Sequence, residues 1–215
     1  MITMDIDAIN PYCMKIILAV RKEDSINALA RRMRVSYGWV YKWVHILAEK
    51  GVFTLTRMKT ILHESNPFYK KTISYLKTIA DVQFYYEALS LLGISYCFTQ
   101  TDAVFVWTKG GYNIARNKLF YPIFVKIKKK DEKIFEEYAK RLHLPVNHKQ
   151  GISYHVVFEE DFQISFCEGV PVDPLENTIS FMEKYIYNFQ PALEMIQDMY
   201  QKKLKVKYKE VVTRD

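Results

Sequence analysis

The chain has 215 residues, of which 49% are hydrophobic and 15% aromatic, so it has the material for a packed core and is unlike a disordered protein. Its formal net charge is +7 at pH 7. Residues 21–60 hold nine Lys or Arg against three acidic residues, and residues 109–130 hold seven and no acid. Two such basic stretches favour a polyanionic partner.

Cysteine usage and hydropathy exclude several classes of protein. Cys13, Cys97 and Cys167 lie far apart, and no histidine stands at zinc-ligand spacing, so we expect free thiols, no disulfide framework and no metal site. No apolar run reaches the roughly 18 residues that span a bilayer. The N-terminal segment is acidic where a signal peptide is basic. We therefore expect a cytoplasmic protein that does not associate with a membrane.

Three helices and a hairpin are predicted first. In chain order these elements are a helix from Pro11, helices over 24–33 and 36–50, and strands over 52–57 and 61–64. Ser36 is placed to cap the third helix, and Gly51 is placed to end it in a left-handed conformation. A tight turn over 58–60 joins the two strands.

This order resembles the MarR-like winged helix-turn-helix regulators of bacteria and archaea, and the resemblance covers about residues 10–65. In that family a small or polar residue caps the third helix, an apolar residue follows, and a Leu-x-x-x-Gly ending precedes the wing. Here these positions are Ser36, Val40 and 47–51. The resemblance implies a domain that binds double-stranded DNA.

The third helix has an apolar face and an aromatic, basic face. Helical spacing assigns four residues to the core: Val40, Trp43, Val44 and Leu47. The opposite face should enter the major groove, while basic residues of the wing meet phosphates. The predicted DNA contacts are Arg34, Ser36, Tyr37, Trp39, Tyr41, Lys42, His45, Arg57 and Lys59. The alternative is that this face packs on a partner domain.

The remainder, 66–215, is predicted to form a second, α/β domain with C-terminal helices, which makes the whole chain α+β. One long or two shorter helices over 67–92 come first. Strands are expected over 94–99, 103–108, 120–128, 152–160 and 162–167, and helices over 131–144, 173–186 and 190–204.

This second domain resembles the minimal nucleotidyltransferase domains found beside winged helices in archaeal proteins and in AbiEii-like toxins, over about residues 80–190. The stretches "ALSLLGISYCFTQTDAVFVW", "FYPIFVKIK" and "GVPVDPLENTISFM" follow the family's order. The resemblance implies a glycine pair that holds phosphate and a strand with two aspartates that hold Mg²⁺ ions.

The chain departs from the family at both motifs. Gln100 and Thr101 replace the glycine pair, and the aspartate positions read Tyr121 and Ile123. Two carboxylates are needed to hold the metal ions that activate the attacking oxygen. We therefore expect no catalytic residues, no metal and no cofactor. The glycine pair at 110–111 is interpreted as a turn rather than a phosphate cradle.

Other polar groups offer no recognisable catalytic arrangement. His143, His148 and His155 are close in sequence, but no serine or cysteine stands in a nucleophile motif. The acidic run 159–161 is interpreted as a solvated hairpin turn between two strands, with metal binding as the alternative.

The sequence therefore predicts a DNA-binding transcriptional regulator. Its second domain would serve dimerisation, or bind a small-molecule or nucleotide effector or a protein partner. Two alternatives stay open. One is an active nucleotidyltransferase or toxin–antitoxin component that uses acids not yet placed. The other is an RNA-binding module, whose platform would be the basic strand region 118–130 with Phe120, Tyr121 and Phe124.

Overall fold

The computed structural model describes residues 10–114, 116–117, 119–204 and 206. Within these ranges the chain is a mixed α+β protein with nine α-helices and two sheets. No helix of the described ranges is long and apolar enough to cross a membrane.

Helices and strands lie close to most of the predicted positions. In chain order the helices are α1 (Pro11–Ala19), α2 (Ile26–Met33), α3 (Tyr37–Glu49), α4 (Pro67–Ile79), α5 (Val82–Leu91), α6 (Gln100–Trp107), α7 (Glu132–Leu142), α8 (Leu175–Lys184) and α9 (Ile186–Tyr200). The strands are β1 (Glu23–Asp24), β2 (Phe53–Leu55), β3 (Thr60–Leu62), β4 (Tyr96–Phe98), β5 (Phe120–Lys128), β6 (Gly151–Glu159), β7 (Ser165–Cys167) and β8 (Val170–Val172).

The chain divides into two compact units. The first comprises Met1–Ile94 and Lys133–Leu144, and the second comprises Ser95–Glu132 and Pro145–Asp215. Their extents differ from the expected domains 1–65 and 66–215, because α4, α5 and nearly all of α7 belong to the first unit.

The first unit has its core between α1, α2 and α3. All four residues of α3 that spacing assigned to the core are buried, namely Val40, Trp43, Val44 and Leu47. Gly51 follows α3 with φ of +71°, so the predicted left-handed ending is confirmed. Ser36 occupies the N-cap position of α3, but its side chain makes no capping hydrogen bond.

A three-stranded antiparallel sheet in the order β1-β3-β2 completes the beginning of this unit. The β2–β3 turn (Thr56–Lys59) is closed by the Thr56 N–H, which donates to the Lys59 carbonyl at 2.8 Å. This turn lies slightly earlier than the predicted one at 58–60. Strand β1 could not be predicted from the sequence, because a two-residue strand carries no periodicity.

Helix α7 caps the carboxyl end of α1. The Tyr138 hydroxyl donates to the Ala19 carbonyl at 2.5 Å. The Arg141 guanidinium donates to the carbonyls of Ile17, Leu18 and Val20 at 3.1, 3.2 and 2.8 Å. The last carbonyls of a helix have no partner within the helix, so α7 satisfies groups at the end of α1, and Arg32 of α2 also donates to the Ala19 carbonyl at 2.7 Å.

The second unit is built on a five-stranded sheet in the order β6-β5-β4-β8-β7. Strand β4 is antiparallel to β5 and parallel to β8, and β5 is parallel to β6. Three helices share one apolar cluster, to which α6 contributes Val104, α8 contributes Met182 and α9 contributes Phe189.

The prediction of a strand at 103–108 is wrong, because residues 103–107 belong to α6 and Thr108 is its C-cap residue. Thr99 is the N-cap residue, and Asp102 lies in the first turn, where a carboxylate is favourable near the positive end of the helix dipole. The helix is apolar on most sides, so it has no polar face to show its period. Gly110, with φ of +79°, donates its N–H to the Phe105 carbonyl at 2.8 Å, which confirms the turn predicted there.

The hairpin predicted around 159–161 is also wrong, because β6 and β7 lie at opposite edges of the sheet. Four strand spacings separate them, about 19 Å. The six residue steps from Glu159 to Ser165 reach at most about 22 Å, which is enough to cross the sheet to its opposite edge. Lys128 donates to Asp161 at 2.6 Å along the way and keeps the pKa of that carboxyl below its usual value.

Helix α9 begins at Ile186, four residues before the predicted start, and continues through Pro191. Proline removes one hydrogen bond and crowds the preceding turn. The surrounding residues Phe189, Ala192, Leu193 and Ile196 are buried, and this packing keeps the helix intact.

Candidate nucleic-acid interface

Helix α3 carries a row of neighbouring rings on one face, and the rings of each adjacent pair are tilted against each other. Tyr37 and Tyr41 are 52% and 45% exposed. The Tyr37 and Tyr41 ring centroids are 5.9 Å apart, and those of Tyr41 and His45 are 4.1 Å apart. These residues are spaced by four, which places them on one face of the helix. Contacts on both sides restrict the Tyr41 ring.

The same rings line a cleft of about 390 Å³ between α3 and the β2–β3 turn, which we call the α3 cleft. Arg57 and Lys59 line it from the turn. The fold thus brings together five of the nine predicted contact residues: Tyr37, Tyr41, His45, Arg57 and Lys59.

Lys59 is already engaged by an acidic residue that the sequence analysis missed. Its ammonium group lies 2.8 Å from the Glu23 carboxylate, and both side chains are more than half exposed. The hydrogen bond and the opposite charge raise the pKa of Lys59 and lower that of Glu23. Glu23 lies on β1, a strand that could not be predicted from the sequence, so its contact with Lys59 could not be predicted either. Arg57, in contrast, has no ion pair within the described part of the chain.

The other four predicted residues do not line this cleft. Trp39 packs edge-on against Tyr12 of α1, with ring centroids 4.7 Å apart. Lys42 is exposed, and its ammonium lies 5.1 Å from the Trp43 ring centroid.

Arg34 and Ser36 are exposed in the connection between α2 and α3, where Arg34 has φ of +56°. The residues that line the α3 cleft also include some that were not predicted from the sequence, among them Ser25, Asn27, Leu55 and Met58.

In the second unit, the positions that the sequence comparison assigned to the expected glycine pair and aspartates hold other residues. Gln100 has φ of +51° at the start of α6, and Tyr121 and Ile123 are buried in β5. Asp102 is fully buried, with the Arg116 guanidinium 2.9 Å away and the Phe124 N–H donating at 2.7 Å. This carboxylate therefore already has a cation and a backbone donor.

A second buried carboxylate, Asp173, is equally occupied. It accepts hydrogen bonds from the Thr99 hydroxyl and from the Lys126 ammonium, the latter at 3.1 Å. The Cys97 thiol lies 3.6 Å away. Burial, followed by the charge of Asp173, raises the pKa of Cys97 far above its usual value. Cys97 is therefore protonated at neutral pH, and a protonated thiol is a poor nucleophile.

In the described part of the basic strand region, two of the lysines have acidic partners. Lys126 pairs with Asp173, and Lys128 pairs with Asp161. Phe120 and Phe124 share one face of β5 by alternation, whereas Tyr121 is buried on the other. Lys118 lies outside the described residues.

Among the residues that the structure describes, no group of three or more His, Cys, Asp or Glu is arranged to hold a metal ion. No family model, curated protein or solved structure matches the chain.

Proposed function

We propose that the protein is a DNA-binding transcriptional regulator that uses α1 to α3 and the β2–β3 hairpin as a winged helix. The observation that carries this proposal is the α3 cleft, where exposed rings of α3 face the basic β2–β3 turn. Groove-facing side chains on a helix and basic residues on a neighbouring hairpin are the two components that such a domain needs.

In this proposal α3 enters the major groove. The hydroxyl of Tyr41 and the ammonium of Lys42 can bond base edges or phosphates. Because the Tyr41 ring is held between two neighbouring rings, it loses little side-chain freedom on binding. Arg57 meets a phosphate without giving up an ion pair, whereas Lys59 has to leave Glu23.

The second unit would then serve regulation or assembly rather than catalysis. Its buried carboxylates Asp102 and Asp173 are neutralised by Arg116 and Lys126, which argues against the alternative of an active nucleotidyltransferase. The lysines of β5 are paired with acids, which argues against the RNA-binding alternative. We propose that this unit forms a homodimer contact or binds a protein partner or an effector.

The test is binding to duplex DNA from the protein's own upstream region. Tyr41→Ala and Lys42→Ala should each weaken binding by about 1–3 kcal/mol and change the discrimination among sequences. Arg57→Ala should weaken all duplexes about equally and lower the salt slope by about one. The matched control is Lys71→Ala, which removes an exposed lysine of α4 and should change neither the duplex affinity nor the salt slope.

Circular dichroism must show that each variant is folded. If Tyr41, Lys42 and Arg57 can all be replaced without loss of duplex affinity at physiological salt, the winged-helix proposal is wrong. Product formation from a nucleoside triphosphate would instead support the nucleotidyltransferase, and tighter binding of single-stranded RNA than of duplex DNA would support the RNA-binding module.

A further inference from the structure

A second cleft of the first unit, of about 530 Å³, lies beside the residues that join α1 to β1 and the end of α7. We call it the α7 cleft. Four cations and two acids line it, namely Arg21, Lys22, Lys140 and Arg141 against Glu64 and Glu137. A neighbouring cleft of about 310 Å³ shares Glu64, Arg141 and His143 with it and adds Lys70 and Lys77. The two clefts together therefore carry a strong positive charge.

Most of this charge has no partner within the described part of the chain. Neither Lys22 nor Lys140 forms an ion pair there. Arg21 has a buried Nε that finds no hydrogen-bond acceptor. Arg141 donates to the carbonyls of α1, so it contributes its charge to the cleft but few further donors.

Lys22 and Lys140 are exposed and have no ion pair among the described residues, so an anionic ligand in the cleft can accept hydrogen bonds from both. Phosphate groups match this arrangement, because they carry several acceptor oxygens and bind cations from more than one side. The concave shape favours a compact group over the continuous backbone of a duplex.

We propose that the α7 cleft binds the phosphate or pyrophosphate group of a small phosphorylated molecule, such as a nucleoside triphosphate. This inference does not depend on duplex binding by α3. It places a phosphate site in the first unit at residues that no sequence motif singled out. Glu64 and Glu137 oppose the ligand electrostatically and limit its affinity.

The experiment is calorimetry of the full chain with inorganic pyrophosphate, at constant ionic strength and without divalent cations. We expect one saturable site. The double variant Lys22→Gln/Lys140→Gln should bind about tenfold or more weakly, because charge-assisted hydrogen bonds are lost. The matched control Lys15→Gln/Lys133→Gln removes two exposed lysines of α1 and α7 that do not line the cleft, and it should stay within about twofold.

Two further variants sharpen the test. Arg21→Lys keeps the charge but removes the planar guanidinium that can form paired hydrogen bonds with a phosphate, so it should weaken binding by about threefold or more. Glu64→Gln removes a repulsive charge and should strengthen binding by about twofold. Thermal melting shows whether each variant remains folded.

A competition arm identifies the source of the phosphate. ATP should displace pyrophosphate, and a duplex oligonucleotide without terminal phosphates should not. Absence of saturable pyrophosphate binding, or an equal loss in the control variant, would overturn the proposal. So would a cleft variant that loses duplex affinity but keeps pyrophosphate affinity, because the cleft would then be a contact for the DNA backbone. Pyrophosphate binding without duplex binding would leave this proposal standing while the winged-helix proposal fails.

Discussion

Glu23 and Lys59 form an exposed ion pair at the edge of the α3 cleft, and this pair holds a cation that the proposed DNA contact needs. A phosphate would have to replace the carboxylate of Glu23. The carboxylate is ionised at neutral pH, since Lys59 lowers its pKa below the ordinary value of 4.5. Glu23 is thus expected to weaken duplex binding.

We predict that Glu23→Gln raises duplex affinity by roughly twofold to fivefold, because the substitution frees Lys59 and removes a repulsive charge. The affinity gain should shrink as salt concentration rises. Fluorescence anisotropy with labelled duplex at two ionic strengths measures both effects. The variant Glu49→Gln, at the exposed end of α3, serves as a control. Unchanged or lower affinity for Glu23→Gln would show that Lys59 does not contact DNA.

Unlike the exposed pair of Glu23 and Lys59, the ion pair between Asp102 and Arg116 is buried, and the two side chains are 0% and 3% exposed. Removing one partner leaves a buried, uncompensated charge. Arg116→Met should therefore destabilise the second unit by about 3–5 kcal/mol in urea unfolding. Lys109→Met breaks the exposed pair with Glu168 and should leave the unfolding midpoint nearly unchanged. Equal midpoints for the two variants would contradict this account.

Substitutions of two glycines, one within α3 and one just after it, test the backbone conformation at these positions. Gly51 has φ of +71°, and a Cβ there would lie 3.2 Å from the Asn66 Nδ2, so Gly51→Ala should destabilise the protein by about 1–2 kcal/mol. Gly38 lies inside the helix with no atom within 4 Å of an added Cβ. Gly38→Ala should stabilise by about 0.5–1 kcal/mol. Effects of the same sign in urea unfolding would contradict the assigned backbone conformations.

Elements with a strong period or clear caps were predictable from the sequence. Helix α3 has an apolar stripe, a residue at its N-cap position and a terminal glycine, and its buried face was predicted in full. Helix α6 was predicted as a strand, because a short apolar helix that is buried on most sides has no readable period. Strand β8 was missed because Pro171 stands at the centre of its three residues, and proline argues against a strand.

The contacts of the candidate site were predictable only in part, for a different reason. Spacing along α3 placed Tyr37, Tyr41 and His45 on one face. It could not show that Glu23 would reach Lys59, since the two are 36 residues apart and pair only through the β1–β3 ladder. For the same reason, the Arg116 that neutralises Asp102 was visible only after folding.

At the scale of the whole molecule, the packing of α7 into the first unit makes stability depend on pH. Burial raises the pKa of both Tyr138 and Tyr69 above the ordinary value of 10.0. A raised folded-state pKa means that the native state holds the proton more tightly, so this stabilisation is complete below pH 10 and is lost as pH rises through the folded-state pKa.

We therefore predict that the Tm falls above pH 10, and that Tyr138→Phe makes this fall shallower. The variant should also lose about 0.5–1.5 kcal/mol at neutral pH, because the hydrogen bond to the Ala19 carbonyl is gone. Tyr37→Phe, at an exposed tyrosine, should change neither quantity. Scanning calorimetry across the alkaline range measures both, and an unchanged alkaline slope in Tyr138→Phe would refute the role assigned to burial.

The contribution of α7 to the first unit also imposes an order on events during synthesis. Residues 1–94 leave the ribosome before the residues that cap α1, since Tyr138 follows Ala19 by 119 positions. At about 5–20 residues per second, the stretch from 94 to 144 takes roughly 3–10 s to translate, far longer than a helix needs to form. The nascent first unit therefore spends seconds without the Arg141 guanidinium that donates to the carbonyls of Ile17, Leu18 and Val20, and it reaches its final packing only when two of the five strands of the second unit's sheet have also been made.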